Sequence, residues 1–347
     1  LVSPDGEVVA SQKIAAASGT VDFSLTLDSP ALWYLRGYGE QPIYTLRVVG
    51  AQTVQRKLGF RRSKLILNDG ANIFEANFPK GPRSAPMQLE INGVKVFAKG
   101  SNWVNTEIFP CLATNERYDE LIALAADANM NIFRMWGGQY INHEHFYDKC
   151  DEVGIMVWQD FWLANPADGP DPADNDMFLA NAEDLVKRIR QYPSIVIYCG
   201  RNEGFPPAEI EAGLRKTVGE WHPDMTYIPS SADGCVSGHG PYRALTHKGY
   251  FTYRKGNTKF HSERGMPSVL TYESMLRTFA PEALEPKSIL WGQHDYTLNG
   301  AQRASTFNEI IEKGYGPAKD VKEFSEHAQF VNYDGYKGMF ESRSINR

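Results

Sequence analysis

Between residues 93 and 230 the chain repeats one rhythm, a short apolar run followed by an amphipathic stretch of helical length, and this constrains the fold more than any other feature. "VKVFAKG" precedes "RYDELIALAADANM", "NIFRMWG" precedes "HEHFYDKCDEVG", "IMVWQDF" precedes "MFLANAEDLVKRIRQY", "SIVIYCG" precedes "PAEIEAGLRKTVGEW", and "MTYIPSSA" follows. Apolar strands alternating with helices of roughly 10–15 residues indicate parallel βαβ units. Several such units in succession, with no Gly-x-Gly-x-x-Gly fingerprint, favour a closed barrel over an open doubly wound sheet. The predicted fold class is therefore α/β, with a (β/α)8 TIM barrel over residues 93–347.

Upstream the period changes to two. "GTVDFSLTL" and "PIYTLRVV" alternate and "SPALW" turns, so residues 1–62 are predicted to be part of an immunoglobulin-like β-sandwich, with 63–92 as a connecting segment. Sixty residues are fewer than the roughly 100 of a complete sandwich of that kind. The opening "LVSPDGEVVA" reads as strand and turn rather than as a signal peptide, so the chain is expected to begin in mid-domain.

No apolar run approaches the roughly 20 residues of a bilayer crossing, which gives no expectation of a membrane partner. The formal net charge is −6, and Lys and Arg are scattered among acids, which argues against a nucleic-acid partner. Cys111, Cys150, Cys199 and Cys235 lie far apart without a CxxC pair, so neither a disulfide framework nor a zinc site is signalled. With no HExxH or Cys/His spacing, no metal or other cofactor is expected.

In such a barrel the carboxyl ends of the strands form the catalytic face. "SIVIYCGRNEGFPP" (194–207) delivers Asn202 and Glu203 to the end of an apolar strand, where Pro206 and Pro207 bar a smooth continuation. "TKFHSERGMPS" repeats the arrangement around Glu263, with Gly265 and Pro267 after it. The plainer reading of either glutamate is a surface or ion-paired acid. Both, however, end apolar strands before Pro/Gly breaks, and paired carboxylates are what glycosidic cleavage uses.

The stretches "KGSNWV", "NIFRMWGG", "FYDKCDEVGIMVWQDF", "YPSIVIYCGRNE" and "FHSERGMPS", in this order, resemble glycoside hydrolase family 2, and within it the β-mannosidase-like branch. "LWYLRGYGEQPIYTLRV" is similar to the sandwich module that precedes the barrel there. The resemblance implies a retaining, exo-acting β-glycosidase acting on an oligosaccharide or glycoside, β-mannoside first. Other sugars of the family (β-galactoside, β-glucuronide, β-glucosaminide) and a non-catalytic carbohydrate-binding protein stand as alternatives. It also implies that Glu203 is the acid/base at the end of the fourth strand and Glu263 the nucleophile at the end of the seventh, with carboxyls about 5–5.5 Å apart. Two departures accompany it. The chain stops before the eighth strand, so the barrel is expected to be truncated, and the sugar-binding domain that the family carries at the amino terminus of the parent chain is missing. Arg201 stands before the asparagine-glutamate pair, which leaves the sugar's identity open.

Arg134, ending the second strand, is the expected donor to Glu263, since a guanidinium fork orients a carboxylate and favours its ionised form, with a structural salt bridge of the barrel as the alternative. Asn202 resembles the family asparagine that bonds the sugar 2-hydroxyl. Asp160, ending the third strand, is a candidate acceptor for sugar hydroxyls, with a capping or loop role as the alternative. Trp103, Trp136, Trp158, Trp162 and Trp291 are candidate platforms for a pyranose face, each weighed against an ordinary core position. His261 is two residues from Glu263 and is expected on the same face, as a hydrogen-bonding support. "VSGHGPYR" (236–243), with His239, is read as a loop at the pocket rim.

Overall fold

The computed structural model describes residues 1–15, 19–67, 87–232, 236, 240, 242–252, 260–285 and 304–345. They form two compact units, Leu1–Ser237 and Gly238–Arg347.

The first unit opens with extended chain and two antiparallel sheets. β1 (Tyr44–Val49) pairs with β2 (Thr53–Leu58), and β3 (Ser63–Leu67), β4 (Met87–Ile91) and β5 (Val94–Val96) form a three-stranded sheet in that order. In β4 the alternation is complete, with Met87, Leu89 and Ile91 buried and Gln88 and Glu90 half-buried, as a one-sided sheet requires. β4 and β5 are joined by Asn92 and Gly93, both with positive φ (+53° and +81°), the two-residue turn whose twist matches antiparallel strands.

That turn corrects one expectation. "VKVFAKG" is not the first barrel strand: Val94–Val96 closes the hairpin, and the parallel sheet begins with β6 (Gly100–Trp103). The chain then runs α1 (Asn115–Asp127), β7 (Ile132–Met135), α2 (Glu144–Val153), β8 (Met156–Asp160), α3 (Asn175–Ile189), β9 (Ile195–Arg201), α4 (Ala208–Trp221) and β10 (Thr226–Ser230). The sheet order is β10-β9-β8-β7-β6, and every pair is parallel. Strands laid down in strict sequence, each returned by a crossover of one hand, put all helices on one side and leave the other as a barrel interior. A doubly wound sheet would reverse its strand order.

Local signals place the helices. Thr114 caps α1 by accepting from the Arg117 amide at 3.2 Å, Asp174 caps α3 by accepting from Met177 at 2.9 Å, and α2 stops at Gly154 with φ +79°. Phe133 and Met135 of β7, Val157 of β8 and Tyr198 of β9 pack against Tyr118, Ile122, Phe146, Leu185, Ile210 and Leu214 of the helices in one core. Alternation therefore turns Arg134, Trp158, Asp160, Ile197 and Cys199 to the opposite face.

The antiparallel region grips the amino-terminal ends of the barrel strands. Trp33 Nε1 donates to the Asp151 carbonyl at 2.8 Å, the Arg36 amide to Gly154 at 2.7 Å, and Arg61 to the carbonyls of Pro193 (3.0 Å) and Ile195. Asp151 in turn accepts from the Ser194 amide at 2.9 Å. All these contacts precede β8 or β9 or lie at the start of β9, so they leave the carboxyl ends of the strands open.

In the second unit the described elements are helical: α5 (His247–Thr252), α6 (Tyr272–Thr278), α7 (Pro281–Leu284), α8 (Ala304–Tyr315) and α9 (Val321–Ile345). Tyr250, Met266, Val269, Met275, Phe279, Ala328 and Val331 share its core. Gly335 and Gly338 of α9 are needed there, because a Cβ at either would lie 2.0 Å from the Met266 methyl or 2.7 Å from the Tyr250 ring. The strand expected before Glu263 starts outside the described residues; from Phe260 to Gly265 there is no strand, only isolated bridges at Phe260 and Gly265, the latter pairing with Tyr242.

Candidate active site

Parallel register decides which polar residues meet at the carboxyl ends of the first unit's strands. Arg134 stands opposite Trp158, Asp160 opposite Cys199, and Arg201 opposite Ser230. Arg134 is 3% exposed, and its guanidinium reaches across to β8, with Nε 3.3 Å from Asp160 Oδ1 and Nη2 2.5 Å from Oδ2. Nη2 also donates to Asn202 Oδ1 at 2.7 Å, and the guanidinium carbon lies 5.4 Å from the centre of the Trp158 ring. Burial pushes the Asp160 carboxyl up, while the Arg134 charge and its hydrogen bonds pull it down. The result is a fixed fork: Asp160 holds the guanidinium, and the guanidinium holds the Asn202 side chain.

Glu203 follows directly. Its φ of +52° is a left-handed conformation that is uncommon for residues other than glycine, with a cost of about 1–3 kcal/mol, and such conformations cluster at functional sites. The fold enforces it from both sides. The Asn202 amide donates to the Leu163 carbonyl at 2.9 Å, the Glu203 amide donates to Ser231 Oγ at 2.9 Å, and the Ser231 amide donates to the Arg201 carbonyl at 3.0 Å. The carboxylate is met by Asn165, whose Nδ2 donates to Oε2 at 2.7 Å. The chain thus turns sharply off β9 and presents an acid braced by loops from β8 and β10.

Asn165 and Ser231 were not anticipated. Both follow strands already assigned, in "FWLANPADG" after β8 and "YIPSSA" after β10; a polar residue just past a parallel strand's carboxyl end was the available signal.

The other predicted residues separate by environment. Trp136 is half-buried just past β7, and its ring lies where a Cβ at Gly138 would come within 2.1 Å. Trp158 is buried beneath Arg134. Trp103 is buried with Phe133 and Phe146, and Trp162, half-buried, packs edge-on against Phe178. Arg134 makes its described bonds to Asp160 and Asn202. Arg201 is bound to Asp171 at 2.5 Å and to the Ala164 carbonyl at 3.0 Å.

In the second unit Glu263 is 9% exposed beside buried Ser262, and His261 is half-buried. Trp291 and His239 lie outside the described residues. Cys150 and Cys199 are buried free thiols, and Cys111 is exposed. Among the described residues no group of three His, Cys, Asp or Glu is placed to hold a metal ion, and no helix is long and apolar enough to cross a membrane.

Comparison with known proteins adds names to this geometry. No model of a protein family matches the sequence. The chain is 34% identical over 218 residues to β-mannosidase B of Thermothelomyces thermophilus, covering 60% of this chain and 24% of that protein. It is 26% identical over 376 aligned positions to a mannosylglycoprotein endo-β-mannosidase of Lilium longiflorum, covering 90% of this chain and 37% of that one. Among solved structures it is similar to a β-D-mannosidase from Dictyoglomus thermophilum, with a TM-score of 0.77, 28% identity, and coverage of 92% of this chain and 42% of that chain. An exo-chitosanase from Amycolatopsis orientalis shares the fold, with a TM-score of 0.76 at 20% identity. The chain therefore spans about a quarter to two fifths of the length of these relatives. In sequence and in fold the chain is thus similar to part of larger proteins named as β-mannosidases.

Proposed function

We propose that the protein is a retaining, exo-acting β-glycosidase of β-mannosidase type, hydrolysing terminal β-linked sugars by double displacement, with Glu203 as the acid/base and Glu263 as the nucleophile. The observation that carries the reading is Glu203, held at positive φ at the carboxyl end of β9 by Ser231 and Asn165, beside an asparagine locked by the Arg134–Asp160 fork. The β-mannosidase relatives support the sugar class.

In this reading Glu203 protonates the glycosidic oxygen as the Glu263 carboxylate attacks the anomeric carbon. Glu203 then takes a proton from water as the glycosyl-enzyme is hydrolysed. Asn202 donates to the 2-hydroxyl through its amide nitrogen, since its oxygen already accepts from Arg134. Trp136, half-buried at the strand end, faces the apolar side of the ring.

A panel of aryl β-glycosides tests this. The mannoside is expected to be hydrolysed fastest, and both Glu203→Gln and Glu263→Gln are expected to lose activity by about 10³-fold or more. Azide should restore turnover to a smaller Glu263 variant such as Glu263→Ala. Turnover of no sugar, or full activity in either Gln variant, contradicts the reading.

A further inference from the structure

Beside Glu203 the first unit has a cleft of about 490 Å³, lined by Pro166, Asp171, Arg201, Phe205, Pro206 and Pro207 among others. It joins the acid at two points. Asn165, which bonds the Glu203 carboxylate, immediately precedes Pro166, and the backbone at Gly204 is packed so closely on Pro166 that a Cβ there would lie 2.7 Å from the proline ring. The wall is built rather than incidental. Arg201, 4% exposed in its side chain, donates to the Ala164 and Phe205 carbonyls and to Asp171, whose side chain is 56% exposed. The prolines fix the backbone around it. Two groups therefore face outward from a rigid frame, the aromatic ring of Phe205 (40% exposed) and a carboxylate whose position is set by a buried guanidinium.

A general acid lies on the leaving-group side of the scissile bond, because its proton goes to the departing oxygen. We infer that this cleft is the leaving-group subsite, binding the reducing-side sugar of a β-linked disaccharide, with Phe205 stacking on the apolar face of that sugar and Asp171 accepting from its hydroxyls. Arg201 is a positioning residue that holds Asp171. The inference rests on the assignment of Glu203 as the acid and adds the recognition of what departs.

The test compares two substrates that share the transferred sugar, a β-linked mannobiose and β-mannosyl fluoride, whose leaving group is too small to fill the cleft. In the full chain, Phe205→Ala and Asp171→Asn are each expected to lower kcat/KM for the disaccharide by about five- to tenfold, as loss of one stacking or charge-assisted contact would. The fluoride should stay within about twofold. Phe205 is 40% exposed and the Asp171 side chain 56% exposed, and unchanged rates with the fluoride would verify that each variant folds. Parallel loss on both substrates, or none on the disaccharide, overturns the subsite. Failure of the unaltered protein to turn over either substrate overturns the glycosidase reading and the subsite with it.

Discussion

The buried fork at Arg134 makes a prediction about single residues that separates stability from chemistry. Arg134→Met leaves the Asp160 carboxylate buried without its partner, and a loss of about 3–5 kcal/mol in urea unfolding is expected. Adding Asp160→Leu removes the stranded charge and is expected to recover most of that stability, while activity stays low because Asn202 has lost the donor that orients it. If both variants are equally unstable, the pair is not coupled as described. Asn165→Ala releases Glu203 Oε2 and is expected to lower kcat about tenfold with little change in KM, since the contact is to the carboxyl proposed as the acid/base. Unchanged kcat would remove Asn165 from the machinery. At this scale the sequence disclosed residues at the ends of strands, such as Arg134, Asp160, Asn202 and Glu203, because the apolar runs announce where those ends fall. It did not disclose Asn165 and Ser231, whose roles depend on where loops from neighbouring strands converge.

Among elements, the parallel strands were legible because each is a continuous apolar run bounded by helical periodicity. The first was misplaced because "INGVKV" looks like the start of a strand-helix unit; its Asn-Gly pair is in fact the signature of a two-residue hairpin turn, and it assigns Val94–Val96 to the antiparallel sheet. Gly100, the first residue of β6, has no room for a side chain: a Cβ would sit 1.8 Å from the Ile132 carbonyl oxygen. Gly100→Ala is expected to part β6 from β7 and lower the melting temperature markedly, and an unchanged value would refute this pairing. The junction at the other end of the strands makes a pH prediction. Burial raises the Asp151 carboxyl to about 8, whereas in the unfolded chain it ionises near 4. Between these values the folded state holds the extra proton, so stability falls as pH rises across that window. Asp151→Asn keeps an acceptor for the Ser194 amide but cannot ionise. Its melting temperature relative to the unaltered protein is therefore expected to improve by about 4 °C or more from pH 5 to pH 8. A difference independent of pH would contradict a protonated Asp151.

For the whole molecule, the logic is one of two ends. The antiparallel region, through Trp33, Arg36 and Arg61, occupies the amino-terminal side of the barrel strands, and the polar network lies at the carboxyl side, where loops rather than core set the chemistry. The barrel architecture was readable because strand-helix alternation leaves few topologies. The sugar class was not readable from the residues themselves, since it depends on a handful of contacts at that open end; the β-mannoside proposed above rests on resemblance. The assignment of Glu203 as the proton donor is tested most directly by the leaving-group dependence of Glu203→Ala. With alkyl or sugar leaving groups, which need protonation to depart, kcat/KM is expected to fall by about 10²–10⁴-fold. With a dinitrophenyl leaving group the loss should nearly vanish, and added azide should yield the β-glycosyl azide. Equal losses for both leaving groups, with no azide product, would contradict the account.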